Sequence, residues 1–269
     1  MNDGNDKLAR RVAVVTGASR GIGRSIAKML AAHGAAVVLG ARTLESGEGP
    51  LEGGIVDAER EITAAGGRAL AVATDLTDVA ARERLMASAA AQFGTVDILV
   101  NNAAVTYFMR IEEMSLRRFD LMWEVQVRAP FHLMQLAIPG MKAKGEGWIL
   151  NISSIVSAHP NVPPQLEHED VTGTVYGMCK AALERLSTGA AAQLLEDNIA
   201  VNSLAPNRVV PTPGTVFHGL TSDDVHELES PDLMPRAAFE LCSRPPRTMT
   251  GRVACSADLL AELTITGTA

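Results

Sequence analysis

The 269-residue chain has no Cys-x-x-Cys pair and no His/Cys cluster at zinc-like spacing, so no metal site is expected. It has three cysteines, Cys179, Cys242 and Cys255. An odd count speaks against a disulfide framework and for buried thiols in a reducing compartment. No apolar run approaches the roughly 18 residues a membrane span needs. The first eleven residues, MNDGNDKLARR, hold no apolar stretch, and the expectation is a chain without a secretory signal, soluble and cytoplasmic. A basic surplus is missing too: 24 Lys and Arg stand against 31 Asp and Glu, a formal charge of −7. Nucleic acid and anionic membrane call for a basic face, so neither is an expected partner.

What is present is a globular composition, 47% hydrophobic and 20% charged, on a chain long enough to bury a core without disulfides or metals. Short β-rich runs fall at 12–16, 36–39, 69–73, 98–100, 148–152 and 199–204. Helix-like stretches lie between them at 25–33, 56–65, 79–93, 116–144 (one helix or two) and 175–196. This alternation predicts βαβ units and a parallel sheet, and nearly continuous apolar strands predict a sheet covered on both faces. The expected fold is α/β: a doubly wound parallel sheet of Rossmann type, three layers α/β/α, in a single domain over 1–269. A tail at 1–8, an inserted loop at 43–54, a second at 155–174, a loop at 207–235 and a C-terminal segment at 236–269 complete it. Loops this long in a compact domain are usually functional or disordered.

The strand at 12–16 runs into Gly17-Ala18-Ser19-Arg20-Gly21-Ile22-Gly23 and then a helix. Glycines allow the tight turn and bring backbone N–H groups close to a pyrophosphate, with the positive end of the helix behind them. In this position the pattern is a strong dinucleotide signal. Folds that bind NAD place an acid after the second strand for the ribose 2′-OH. Here residues 40–43 carry none; Arg42 stands there and Arg20 is available from the glycine turn. Two cations suit a 2′-phosphate, so NADP(H) is expected over NAD(H), the alternative being that Arg42 is a solvated surface charge. Asp75-Leu76 follows the third strand and Asn101-Asn102-Ala103-Ala104 the fourth, at strand ends where open α/β sheets bind ligands. Asp75 either accepts from an adenine amino group or caps the next helix.

Tyr176 and Lys180 sit four residues apart, on one helix face. A lysine beside the phenol is expected to lower the tyrosine pKa towards neutrality and make it an acid/base. The preceding strand ends Asn151-Ile152-Ser153-Ser154, and a serine hydroxyl there can polarise a substrate carbonyl.

These motifs, in this order, resemble the short-chain dehydrogenase/reductase family: TGASRGIG, Asp75, NNAA, Ser154, YGMCK and the run Val201-Asn202-Ser203-Leu204-Ala205-Pro206. The resemblance covers about residues 8–212. It implies Tyr176 as acid/base, Lys180 lowering its pKa and holding the nicotinamide ribose, and Ser154 positioning the carbonyl. It implies Ser19, Arg20 and Ile22 at the pyrophosphate, Asn101 along the ribose, and Val209 or Thr212 near the nicotinamide. It also implies a tetramer or dimer built through helices near 115–143 and 174–196.

Four departures stand out. Gln126 occupies the place of the family's fourth catalytic residue, an Asn thought to hold a water in a proton relay. Ser154 and Tyr176 are 22 positions apart, longer than usual, so residues 157–174 form an insertion beside the pocket, a lid or a solvated loop. Pro206-Asn207 replaces Pro-Gly, and Asn tolerates a left-handed turn. The tail lacks Asp-Gly-Gly, although residues 252–256 keep something of a seventh strand.

The expected function is an NADP(H)-dependent oxidoreductase acting on a carbonyl or secondary alcohol of a small, largely apolar substrate. The alternative is a dinucleotide-binding protein with weak or lost turnover, motivated by Gln126. Tyr107, Phe108 and Met109 suit an apolar pocket, while Glu167, Glu169, Asp170, Asp223, Asp224, Glu227 and Glu229 argue weakly against anionic substrates if they face it.

Overall fold

The computed structural model describes residues 6–48, 51–160, 172–221 and 228–266. Seven strands form one sheet in which every neighbouring pair is parallel. They are β1 (Val12–Thr16), β2 (Ala36–Ala41), β3 (Arg68–Ala73), β4 (Ile98–Asn101), β5 (Gly147–Ile152), β6 (Ile199–Ala205) and β7 (Val253–Cys255). Their order is β3-β2-β1-β4-β5-β6-β7, which is doubly wound with its switch point between β1 and β4. The expected remnant of a seventh strand is therefore real, three residues long, and pairs with β6.

The nine α-helices among the described residues are α1 (Gly21–Ala32), α2 (Ile55–Ala64), α3 (Val79–Phe93), α4 (Leu116–Trp123), α5 (Ala129–Lys144), α6 (Thr174–Leu194), α7 (Pro213–Phe217), α8 (Leu233–Ser243) and α9 (Ser256–Ile265). Strand alternation feeds two separate cores. Ala13 and Val15 of β1 pack in one layer with Ile26 and Leu30 of α1, Ile62 of α2 and Met234 of α8. Val12 and Val14 pack in the other with Leu85 of α3, Leu133 of α5 and Leu194 of α6. Both faces are covered, which is why the central strands read as unbroken apolar runs.

The stretch 116–144 is two α-helices joined by a π-helical turn over Glu124–Arg128. Pro130 gives the physical reason. It has no N–H to offer the carbonyl of Gln126 four residues earlier, and its ring crowds that carbonyl, so the helix widens there.

Candidate active site

Residues from the C-terminal ends of β1, β2, β3, β4, β5 and β6 surround one cavity of about 620 Å³. Its floor is the glycine turn. Gly17 and Gly21 have φ of 65° and 55°, in the left-handed region. Gly23 needs its missing side chain for space: a Cβ there would lie 2.3 Å from Asn102 Nδ2 and 2.5 Å from the Gly17 carbonyl. Asn102 explains the close approach, since its Nδ2 donates to the carbonyls of Thr16 (2.9 Å) and Gly17 (3.2 Å). No side chain caps α1 and no acid sits in its first turn, so its positive end opens on the cavity. The cradle fits a pyrophosphate.

Gly17, Ser19, Arg20, Gly21, Ile22, Gly23, Arg42, Asp75, Leu76, Ala103, Ser154, Tyr176, Lys180, Val209 and Thr212 all line this cavity. Asn101 does not, which corrects its placement along the ribose. It shares a strand face with Leu99 and is buried, its Nδ2 donating to Asn151 Oδ1 at 2.8 Å. Asn151 in turn donates to Ser187 of α6 at 2.8 Å. The neighbour that reaches the cavity is Asn102. Gln126 is also outside the lining. It is buried, and its Nε2 donates to the Val105 carbonyl at 3.0 Å while its Oε1 has no partner among the described residues. Its place is therefore behind the β4 loop, holding it.

At the end of the cavity next to β2, Arg20 is a loop anchor as well as a cation. Its guanidinium donates to the carbonyls of Glu52 (2.8 Å), Leu51 (3.1 Å) and Gly53 (2.9 Å), closing the inserted loop against the glycine turn. Burial, followed by repulsion from Arg42, lowers the Arg20 pKa. Arg42 is exposed, and no acid among the described residues pairs with it. Asp75 does not cap α3; Asp78 does, accepting from Ala80 N at 2.9 Å. Asp75 Oδ1 accepts from the backbone and hydroxyl of Thr77 (2.9 and 2.8 Å), which fixes the carboxylate at the rim.

At the other end, Tyr176 is half-buried and accompanied by Ser154, whose side chain is hydrogen-bonded to it. Lys180 is buried beneath, its Nζ donating to the Ile152 carbonyl at 2.8 Å and lying 5.4 Å from the Tyr176 ring centre. In this arrangement the expected lowering of the tyrosine pKa is not found. Burial raises Tyr176 to about 12, and the Ser154 hydrogen bond offsets this only in part. Burial acts on Lys180 in the opposite sense and lowers it to about 8, against the attraction of Cys179 and Glu184. The phenol is therefore protonated at neutral pH.

Of Tyr107, Phe108 and Met109, only Phe108 faces the cavity. Its ring meets Tyr176 edge-on at 5.9 Å and His218 at 5.6 Å. Tyr107 instead packs beside Met122 and Val175 under the Arg118 guanidinium, and Met109 Sδ lies 3.5 Å from Arg118. Val105, Ile155, Val156 and Leu220 complete an apolar wall. Sequence reasoning missed His218 and Leu220, which carried no signal, and placed Asn102 in the ligand-binding stretch after β4 without giving it the role it gave Asn101.

Asn207 keeps an ordinary negative φ, so no left-handed turn is used. Its side chain cross-links instead, Nδ2 donating to Asp258 (2.9 Å) and Oδ1 accepting from Ala257 N (2.7 Å). Glu229 is buried away from the cavity, accepting from Asn207 N (2.6 Å) and the Ser256 hydroxyl (2.5 Å). Glu167, Glu169, Asp170, Asp223, Asp224 and Glu227, and with them the lid expectation for 161–171, lie outside the described residues. Cys179 and Cys242 are buried thiols, whereas Cys255 is half-buried. No group of three or more metal-ligating side chains occurs among the described residues, and no described helix is long and apolar enough to cross a membrane.

A family model described as short chain dehydrogenase matches residues 11–217. An uncharacterized oxidoreductase of Methylorubrum extorquens is 39% identical over 223 residues, 81% of each chain. Hydroxysteroid dehydrogenase-like protein 2 of Xenopus tropicalis is 34% identical over 94% of this chain, which spans 58% of that protein's length. Among solved structures, a metagenomic short-chain oxidoreductase in complex with NADP is 32% identical, with a TM-score of 0.74, covering 92% of this chain and 97% of that one.

Proposed function

We propose, from the premise that this chain belongs to the short-chain dehydrogenase family and is an oxidoreductase with a nicotinamide dinucleotide cofactor, that it is an NADPH-preferring reductase of a small, largely apolar carbonyl compound. The observation that carries this reading is the meeting of Ser154, Tyr176 and Lys180 at one end of a cavity whose other end holds the glycine turn and two arginines. When bound, the nicotinamide supplies the hydride. Tyr176 gives its proton to the oxygen that becomes the alcohol, and Ser154 donates a hydrogen bond to that oxygen as charge develops on it. A phenol kept protonated by burial suits the reductive direction. Lys180 is the cation beneath, placed to hold the ribose. The 2′-phosphate falls to Arg42, with Arg20 behind it, because the cavity-lining stretch after β2, Gly40, Ala41, Arg42 and Thr43, carries no acid to repel it. Phe108, Val156 and Leu220 form an apolar seat for the substrate body. The test is oxidation of NADPH against a panel of apolar ketones and aldehydes; no turnover on any of them sinks the reading.

The lysine carries a pH consequence. Below about pH 8 Lys180 is charged and can hold the ribose; above it the ammonium is lost, because burial has already lowered its pKa. Since kcat/KM reports ionisations of the free enzyme, kcat/KM for NADPH is expected to fall as pH rises through about 8. A profile that stays flat to roughly pH 10, near the ordinary lysine value, contradicts this role.

The assembly is proposed as a dimer or tetramer through α4–α5 and α6, where Leu116, Phe131 and Met178 are exposed. Exposed apolar side chains grouped on long helices favour burial against a second copy. Sedimentation of the wild type should give two or four chains, and Phe131→Asp should reduce the number. A wild-type monomer at micromolar concentration removes the proposal.

A further inference from the structure

Glu184 lies one helical turn beyond Lys180 on α6, so Tyr176, Lys180 and Glu184 form a single stripe. It does not line the cavity. No Lys or Arg among the described residues forms an ion pair with it, which is unusual for a half-buried carboxylate. Its Oε1 accepts two hydrogen bonds instead, from Ser153 at 2.5 Å and from Ser157 at 2.7 Å. These two serines flank Ser154. Ser153 follows β5 directly, its N–H bonded to the Leu204 carbonyl at 2.8 Å. Ser157 ends the 3-10 turn Ile155–Ser157 that starts from Ser154, and its N–H bonds back to the Ser154 carbonyl at 3.0 Å.

That turn lies directly on α6. A Cβ at Gly177 would come 2.3 Å from the Val156 carbonyl. Glycine at 177 lets the turn approach, and the Glu184 carboxylate draws both its ends to the helix that carries Tyr176. The titratable groups facing Glu184 are Lys180 on its own helix and the half-buried Cys255 thiol on β7, which burial and nearby carboxylates hold in its neutral form.

We propose that Glu184 is a positioning residue of the reaction: by clasping the hydroxyls of Ser153 and Ser157 with one oxygen, it holds Ser154 in register with Tyr176. The inference rests on the roles given above to Ser154 and Tyr176. A carboxylate that accepts two hydroxyl hydrogen bonds fixes the segment between them more tightly than either neutral contact alone. Displacement of a reacting group by a fraction of an ångström to an ångström is enough to slow chemistry without weakening cofactor binding.

The test uses the full chain and four variants: Glu184→Ala, Glu184→Gln, Ser157→Ala and the double variant Glu184→Ala/Ser157→Ala. Glu184→Ala is expected to lower kcat by roughly 10–100-fold. The NADPH dissociation constant and the carbonyl KM should stay within about threefold, because a residue acting only on the transition state leaves ground-state binding alone. Glu184→Gln keeps an acceptor oxygen and should recover most of the loss. The double variant should be no slower than Glu184→Ala, since both act through one clasp. A kcat within about twofold of wild type in Glu184→Ala overturns the proposal. So does a parallel fall in thermal stability and NADPH affinity that Gln does not rescue. Crystal structures give a readout independent of turnover: the Ser154 hydroxyl should leave hydrogen-bond distance of Tyr176 in Glu184→Ala and return in Glu184→Gln. An unmoved Ser154 also overturns the proposal. Absence of turnover in the wild type would instead count against the reductase reading, and the crystallographic arm would still decide the role of Glu184.

Discussion

Tyr176→Phe is expected to lower carbonyl reduction by roughly 10²–10⁴-fold, the range that a positioned general acid contributes. That corresponds to about 3–5 kcal/mol of barrier. The substitution is clean. It removes one oxygen and leaves the ring, whose edge-on contact with Phe108 at 5.9 Å does not need the hydroxyl. Lys180 keeps its bond to the Ile152 carbonyl at 2.8 Å, so the ribose end of the cavity is undisturbed. Affinity for NADPH should therefore stay within a few-fold while kcat collapses, the pattern of an interaction made only in the transition state. Ser154 remains as a donor to the same oxygen and accounts for a residual rate. Steady-state kinetics beside fluorescence titration of NADPH checks both halves. Residual kcat above about a tenth of wild type would mean that the proton comes from elsewhere. If the wild type binds NADPH tightly yet turns over no carbonyl, the chain is a dinucleotide-binding protein, and the displaced amide of Gln126 becomes the first place to look.

The second large effect concerns which dinucleotide is held. Arg42→Ala is expected to weaken NADPH by roughly 10–150-fold, the equivalent of one charged hydrogen-bonding contact of about 1.5–3 kcal/mol. NADH, which has no 2′-phosphate, should bind the variant as it binds wild type. Arg42 is the better probe of the two arginines because it is exposed and has little other work. Arg20 carries the carbonyls of residues 51–53, so removing it opens the loop as well as subtracting charge. Arg20 and Arg42 repel one another, and a bound anion between them would relieve that repulsion. The preference should weaken at high salt, because an exposed charge is screened within about 10 Å at moderate ionic strength. Wild type binding NADH as tightly as NADPH would refute the role given to both residues.

The sheet and most of the cavity were legible in the sequence because both rest on short-range rules. Unbroken apolar runs gave the strands within about two residues, and the glycine turn announced the phosphate end by where it sits between β1 and α1. The errors arose where a contact between distant segments decided the outcome. Asn101 and Asn102 are adjacent and chemically identical, and alternation places them on opposite faces. Only the contact of Asn102 with the Thr16 carbonyl at the end of β1, 86 positions away, settles which one reaches the cavity. Pro130 was visible four residues after Gln126, yet its effect needs the helix geometry: the lost partner of one carbonyl and a π turn over five residues. Glu229 stood in an acidic stretch of sequence that left it either a pocket charge or a solvated surface charge. Three-dimensional packing turned it inward, onto the backbone N–H of Asn207 and the hydroxyl of Ser256. The pKa of Tyr176 went the other way from expectation because desolvation of the phenol, invisible in a linear pattern, outweighs its neighbours.

Along the chain, Asn207 in place of a glycine and the divergent C-terminus look like two separate departures. In space they are one. Asn207 Nδ2 reaches Asp258, its Oδ1 takes the N–H of Ala257, and Glu229 joins its backbone to Ser256. Thus the first turn of the last helix is the buttress of the loop that carries Val209 and Thr212 to the cavity. The two segments form a matched pair: a loop transplanted without its own tail, or a tail without its loop, arrives with half of its joinery missing.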